Sequence, residues 1–371
     1  MRRGVVVSAV AVVALPVAVA AGLAWSVSFS PPPRSGFEVD GFAARSAVDV
    51  WAVGLRPGGR CQYQTLTLHW DGSAWTVIPS PGNATVNSVL DGVTVAGAKQ
   101  AWAVGTAGCP ADQSRTLTEH WDGSAWSIVK SPNGGVSSDH FSALHAVTAV
   151  SVGDVWAVGS QAGIRSHMPV TVPLIEHWTG TRWSVVPVPT AAVGELESVS
   201  ATSASDVWAV GAGQLAGQST VALHFDGSSW KLVPVPAPPG TTGALFGVTA
   251  LSATDAWAVG EFFPNAGGNG KVLTDHWNGT SWQVVTTPPV GGPGALSALS
   301  SIDAVPSTGV WAVGFWVTDV AGNSVVLHWT GTAWKQQATP AASNLFRVAV
   351  LPDNELFTSD LGTIFIGQHS G

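Results

Sequence analysis

The tetrapeptide Trp-Ala-Val-Gly occurs six times, beginning at Trp51, Trp102, Trp156, Trp208, Trp257 and Trp311. Successive intervals are 51, 54, 52, 49 and 54 residues. A second motif follows each copy. It is first His69-Trp70-Asp71-Gly72-Ser73-Ala74-Trp75, and it returns from His120 to Trp126, His177 to Trp183, His224 to Trp230, His276 to Trp282 and His328 to Trp334. The segments between motifs differ in sequence and length, so low complexity does not explain the pattern. A fixed period near 50 residues signals one supersecondary unit stacked on copies of itself. The length of 371 residues would otherwise suggest two or three domains; the repeat reduces them to one.

Each unit reads as four strands. In the third, Leu144 to Ala149 form strand a, and Asp154 sits in a turn. Val155 to Val158 form strand b, which Gly159 ends. Strand c ends at His177-Trp178, and strand d runs from Trp183 to a closing Pro. Asp-Gly or Asn-Gly between c and d, as at Asp71-Gly72 and Asn278-Gly279, is a strong hairpin signal. Four strands per unit predict the blade of a β-propeller. The C-terminal unit supplies strands a, b and c (Leu345 to Val350, Glu355 to Phe357, Gly362 to Gly367) but no d. Ala24-Trp25-Ser26-Val27 near the start parallels Ala125-Trp126-Ser127-Ile128, a strand d. The expectation is therefore an all-β, seven-bladed propeller of four-stranded blades, closed by an N-terminal strand d. Such closure removes sheet edges that invite aggregation.

Composition agrees. Charged residues make up 10% and hydrophobic residues 46%, which excludes a disordered chain. A net charge of −8 disfavours a nucleic-acid partner. Met1-Arg2-Arg3 and the apolar run from Gly4 to Ala24 have the pattern of a secretory signal, with Ala18-Val19-Ala20 and Gly22-Leu23-Ala24 as cleavage sites. The run also has the length of a membrane anchor. Residues 1–24 are thus read as signal peptide or uncleaved anchor, and residues 25–371 as the propeller. The expected location is outside the cytoplasm, secreted or held at the outer side of the cytoplasmic membrane. There an oxidised Cys61–Cys109 pair is expected, both residues lying in b–c loops of neighbouring blades.

Strand b ending in Gly, then an aromatic-Asp pair, a short turn and a Trp before a Pro-ended strand resembles the Kelch repeat. It resembles most the Trp-rich, Kelch-like propellers of secreted bacterial proteins. The resemblance covers essentially all of the chain after the signal. Kelch repeats carry Gly-Gly where this chain has the single Gly54 and its equivalents, and their turn is longer than Trp70 to Trp75. Kelch-like rings include copper-radical galactose oxidase, which needs tyrosine ligands and a Tyr–Cys cross-link. Tyr63 alone does not assemble that site, and no cofactor or metal is expected. No P-loop, dinucleotide, zincin or nucleophile-elbow motif occurs.

The six repeated His sit in six separate blades and do not converge on one ion. They are expected to bond a neighbouring backbone or a turn carboxylate, such as Asp49, Asp154, Asp206 or Asp255. Function is sought where the repeat breaks. Phe262-Phe263 and Phe315-Trp316 follow strand b in adjacent blades, and Trp316 lies outside both motifs; they form either an aromatic patch that suits sugar rings or a protein partner, or an extension of strand b into the core. Eleven residues before each repeat Trp stand Asp40, Asp91, His145, Glu197, Phe246 and Ser300, at the start of the innermost strand. They are expected to surround the channel mouth. The reading is a monomeric, non-catalytic binding protein whose ligand is a glycan or a cell-envelope protein, held on the b–c/d–a face. The alternatives are a carbohydrate-active hydrolase using Asp40, Asp91 and Glu197 at the mouth, and a structural surface-display ring.

Overall fold

The computed structural model describes residues 23–31, 36–58, 62–81, 86–109, 114–133, 141–165, 168–215, 218–306, 309–340, 344–351, 353 and 355–369. Residues 1–22, which hold most of the expected signal, lie outside this set, as does Cys61. The described residues form seven four-stranded antiparallel sheets without a helix. The protein is a seven-bladed β-propeller. Strands are lettered a to d from the channel outwards. Blade 1 comprises a (Glu38–Ser46), b (Asp49–Gly58), c (Gln62–Trp70) and d (Trp75–Val77). Strand a of the next five blades is Asn87–Gly97, Ser142–Ser151, Gly194–Ser203, Thr241–Ser252 and Leu296–Val305.

Blade 7 is built from both ends of the chain. Arg347–Val350, Leu356–Ser359 and Ile364–His369 are its strands a, b and c. Leu23–Phe29 is its strand d, with Trp25 opposite Gly367 and Phe29 opposite Ile364. The strand starts two residues before the expected Trp25. Leu23 is buried against Trp311, Val313 and Phe365, and the Trp25 indole N–H donates to Ala338 O at 2.8 Å.

The repeated Trp hold neighbouring blades together. The strand-b Trp of one blade stacks on the His of its own strand c and packs against two aromatics of the next blade. Trp51 lies 4.6 Å from His69, 5.0 Å from Trp121 and 5.1 Å edge-on from Trp126, centroid to centroid. The same cluster recurs around Trp102, Trp156, Trp208 and Trp257, with Phe225 in place of one Trp. Phe357 serves blade 7, meeting Trp70 and Trp75 of blade 1. Geometries of this kind contribute beyond area burial, by about 0.5–1.5 kcal/mol per pair.

Four of the six repeated His bond a turn carboxylate as expected. His69, His177, His224 and His276 bond the turn carboxylates of Asp49, Asp154, Asp206 and Asp255 at 2.7–3.0 Å. In blade 2 Gln100 stands in place of that Asp, and burial pushes the His120 pKa down. The c–d turn spans four residues rather than the two of a tight hairpin. Asp71 Oδ1 accepts from the backbone N–H of Ser73 and Ala74 and from the Ser73 hydroxyl, and Gly72 takes φ +96. Those donors hold the Asp71 carboxyl down to about 2.

The Gly of Trp-Ala-Val-Gly does not end strand b, which in blade 3 continues from Asp154 to Arg165. It faces a β-bulge. In blade 1 Val39 pairs with Gly54 and Gly41 with Val53, so Asp40 is the extra residue. The bulge drives the Glu38 carbonyl to 2.0 Å from where a Cβ on residue 54 would lie. Gly105, Gly159, Gly211, Gly260 and Gly314 face the same obstruction at 1.9–2.1 Å. Glycine is required there by close approach of backbone, not by φ. Removing residues 23–31 strips strand d from blade 7, with an expected cost of roughly several kcal/mol. A thermal melt of that truncation is expected to fall by about 5 °C or more; an unchanged midpoint would contradict the closure.

Candidate functional site

The bulges decide which side chains reach the channel. The extra residue of strand a in blades 1 to 6 is Asp40, Asp91, His145, Glu197, Phe246 and Ser300. All six line one cavity of about 500 Å³ at the channel. The sequence places the ring correctly because the bulge recurs at a fixed distance from the repeat Trp. The seventh member differs. Counting back eleven residues from Phe357 reaches Phe346, but the cavity is lined by Arg347. Strands a and b of blade 7 pair without a bulge, Arg347 opposite Ser359. Asp360 stands where the other blades carry the obligatory Gly, and the a–b ladder of blade 7 ends one residue earlier, at Ser359.

Arg347 ties the last blade to the first at the mouth. Its Nε donates to the Asp40 carbonyl, and its Nη1 donates to Phe346 O at 3.0 Å. Both its guanidinium and His145 act on the neighbouring carboxylates. Burial pushes the Asp40 pKa up to about 7; the like charges of Asp91 and Glu38 add to this, and Arg347 opposes it. Burial likewise pushes Asp91 up to about 6, with Glu197 adding and His145 and Arg347 opposing. Asp40 Oδ2 is buried without a hydrogen-bond partner. His145 Nδ1 lies 3.1 Å from Leu196 O and 3.6 Å from Glu197 Oε2. Glu195, raised by burial and by Glu197, extends the acidic side. The cavity therefore sets the carboxyl groups of Asp40, Asp91, Glu197 and Asp303 against the guanidinium groups of Arg347 and Arg45 and the His145 imidazole, flanked by Phe246.

The aromatic residues are arranged otherwise. Phe262 and Phe263 belong to strand b of blade 5 (Asp255–Pro264), and Phe315 and Trp316 to strand b of blade 6 (Gly309–Val317). All four are half-buried. Phe262 packs on the core between blades 4 and 5, and Trp316 on the core between blades 5 and 6. Phe263 and Phe315 alternate with them on the opposite sides of their strands. Among the described residues no ring-to-ring contact joins any two of the four. No free cysteine occurs among the described residues, and Cys109 follows strand b of blade 2, while its expected partner Cys61 lies outside them.

No protein-family model matches the chain, and no curated protein matches it. Solved structures do. YCF48 bound to a D1 peptide aligns over 97% of this chain and 100% of its own, with TM-score 0.58 and 13% identity. The WD40 β-propeller domain of Doa1 aligns over 94% and 98%, with TM-score 0.59 and 11% identity. Virginiamycin B lyase from Staphylococcus aureus aligns over 93% and 98%, with TM-score 0.59 and 12% identity. At these identities the likeness is one of fold.

The electrostatics predict the effect of removing the Arg347 guanidinium. In an Arg347→Met variant, Asp40 and Asp91 are both expected to titrate at higher pH, because Arg347 lowers each. Carboxyl ¹³C NMR titration reads both groups. A shift to lower pH, or none, would show that Arg347 does not act on the pair. The protein is a β-propeller with Trp-rich strands, similar in fold to YCF48 bound to a D1 peptide and to the WD40 domain of Doa1.

Proposed function

We propose that this chain is a non-catalytic binding protein that takes a segment of another protein at the channel mouth, on the b–c/d–a face. A basic side chain of that segment is set among Asp40, Asp91 and Glu197. The observation that carries this reading is the bulge ring: six blades each turn a non-repeat side chain to one cavity, and three of the six are carboxylic acids. Two of those are raised by burial and by like charge, so a bound cation relieves repulsion as well as making charge-assisted hydrogen bonds. The YCF48 structure with its peptide supports the choice of a peptide over a small molecule. Phe263 and Phe315 supply apolar contact at the rim in this reading, with Phe262 and Trp316 supporting them from the blade cores.

The apolar run from Gly4 to Ala24 supports secretion or membrane anchoring, hence a partner in the cell envelope. Cleavage after Ala20 leaves the closing strand whole, whereas cleavage after Ala24 removes buried Leu23; the first site is the one proposed. In that compartment Cys61 and Cys109 form the expected bridge. Membership of the Kelch-like, Trp-rich propellers rests on the repeat motifs.

A second reading has one observation in its favour. Asp40 at about 7 and Asp91 at about 6 share a cavity, and glycoside hydrolysis uses two carboxyl groups, one held protonated as the acid by a raised pKa and the other ionised. One experiment separates the readings. Short neutral peptides carrying a central Lys, Arg, Ala or Glu are titrated into the protein beginning at Leu23, and oligosaccharide turnover is assayed in parallel. Lys or Arg peptides are expected to bind, and Asp91→Asn to weaken them about tenfold or more. Equal binding of Ala peptides would overturn the cation site. Sugar turnover lost in Asp40→Asn would favour the hydrolase.

A further inference from the structure

Strand c carries a second set of acidic residues that face neighbouring blades rather than the channel. The residue before the repeat His is Leu68, Leu223 and Leu327 in blades 1, 4 and 6, but Glu119, Glu176 and Asp275 in blades 2, 3 and 5. All three acids are fully buried. Two have a partner from the preceding blade, five residues beyond its strand-d Trp. The Ser80 hydroxyl donates to Glu119 Oε2 at 2.6 Å, and the Ser131 hydroxyl to Glu176 Oε2 at 2.7 Å. At the blade 4–5 seam that place is held by Val235. Both Asp275 oxygens are buried without a hydrogen-bond partner.

The surroundings of Asp275 are apolar on every side. Leu273 and Trp277 flank it on its own face of strand c (Lys271–Trp277), and Val284 is opposite on strand d. Blade 4 contributes Trp208, Val210, Ala222, Val233 and Val235 to the same core. The nearby titratable groups are engaged elsewhere. His276 faces the other side of the strand, stacked on Trp257 and bonded to Asp255 at 2.9 Å. Lys231, on the outer strand of blade 4, pairs with Asp226. The channel end of this seam is fastened separately, with Val248 N–H and Ala250 N–H donating to the Ser198 and Ser200 hydroxyls at 3.1 and 3.0 Å.

We propose that the outer half of the blade 4–5 seam is a pH-sensitive joint, closed while the Asp275 carboxyl is protonated and loosened once it must ionise without a partner. This is independent of what the channel mouth binds. Burial raises Asp275 from 3.8 to about 7. A carboxyl raised by folding stabilises the closed seam fully below its unfolded pKa and loses that contribution as pH rises through its folded one. Opening of this seam therefore becomes easier from about pH 4 to about pH 7 and levels off above. Glu176, raised to about 8 by burial and partly offset by Ser131, extends the same behaviour to the blade 2–3 seam over a higher range.

The test is hydrogen exchange with mass-spectrometric readout on the whole chain at several pH values, expressed as protection factors. In the wild type, protection of strands c and d of blade 5 is expected to fall by up to about tenfold per pH unit between pH 5 and 7. In Asp275→Leu, which installs the residue of blades 1, 4 and 6, that slope is expected to vanish in blade 5 and persist in blade 3. The double variant Asp275→Glu with Val235→Ser rebuilds the pairing of the blade 1–2 and 2–3 seams and is expected to regain protection at pH 7. Equal slopes in wild type and Asp275→Leu would overturn the proposal. A double variant folded but no better protected than wild type would overturn the role of the missing hydroxyl.

Discussion

Everything in this ring hangs on an aromatic clasp between blades. The Trp of one strand b is held between the His of its own blade and two aromatics of the next, at centroid distances near 5 Å. A blade of four short strands does not bury both faces alone. The clasp buries one face of every blade against its neighbour and so makes each dependent on the next. The dependence becomes circular only when Phe357 of blade 7 reaches Trp70 and Trp75 of blade 1, and Leu23 meets Trp311. The N-terminal strand is therefore part of the clasp. Ion pairs contribute in a supporting role: the Asp–His bonds fix the imidazole against the indole and leave its apolar face to stack.

The same repeat builds the site by a different device. A bulge in the innermost strand pushes one residue out of the ladder and into the channel mouth, and the facing strand accommodates the displaced carbonyl with glycine. Structure and binding chemistry thus occupy different positions of one motif. The Trp, His and Gly are constant because packing requires them. The bulge residue bears no ladder or core constraint, and it varies from Asp to Phe between blades. Blade 7, with Asp360 in place of glycine, ends its a–b ladder at Arg347 and Ser359 without a bulge, and Arg347 lines the cavity there. That cation lies beside Asp40 and Asp91, two carboxyl groups raised by burial, and opposes the rise of each.

The ring, the blade count and the closing strand were legible because they follow from period and motif. Six of the seven mouth residues were legible for the same reason. Arg347 was not, since it stands one residue beyond the counted position, at the register place that Gly41 and Ser301 hold in blades 1 and 6. The strand-b glycine reads as a terminator by composition; its role against a neighbouring carbonyl exists only once the strands pair. The aromatic residues after the repeat left a surface patch and an extension into the core both open, and Phe262 and Trp316 pack on two successive blade cores. Glu119, Glu176 and Asp275 sat inside a motif whose His and Trp drew attention. Their signal was a carboxylate where three sister blades carry leucine.

The central claim is that repeat positions hold the ring and bulge positions bind. A saturation library of the whole chain, displayed on cells and sorted separately for folded protein and for binding to an immobilised Lys peptide, tests it directly. Substitutions at Trp102, Gly105, His177 or Trp208 are expected to abolish folding and binding together. Substitutions at Asp40, Asp91 and Glu197 are expected to leave folded protein intact and to deplete only the binding sort. Bulge substitutions that lose folded protein as severely as the Trp variants, or that bind as well as wild type, would contradict the account.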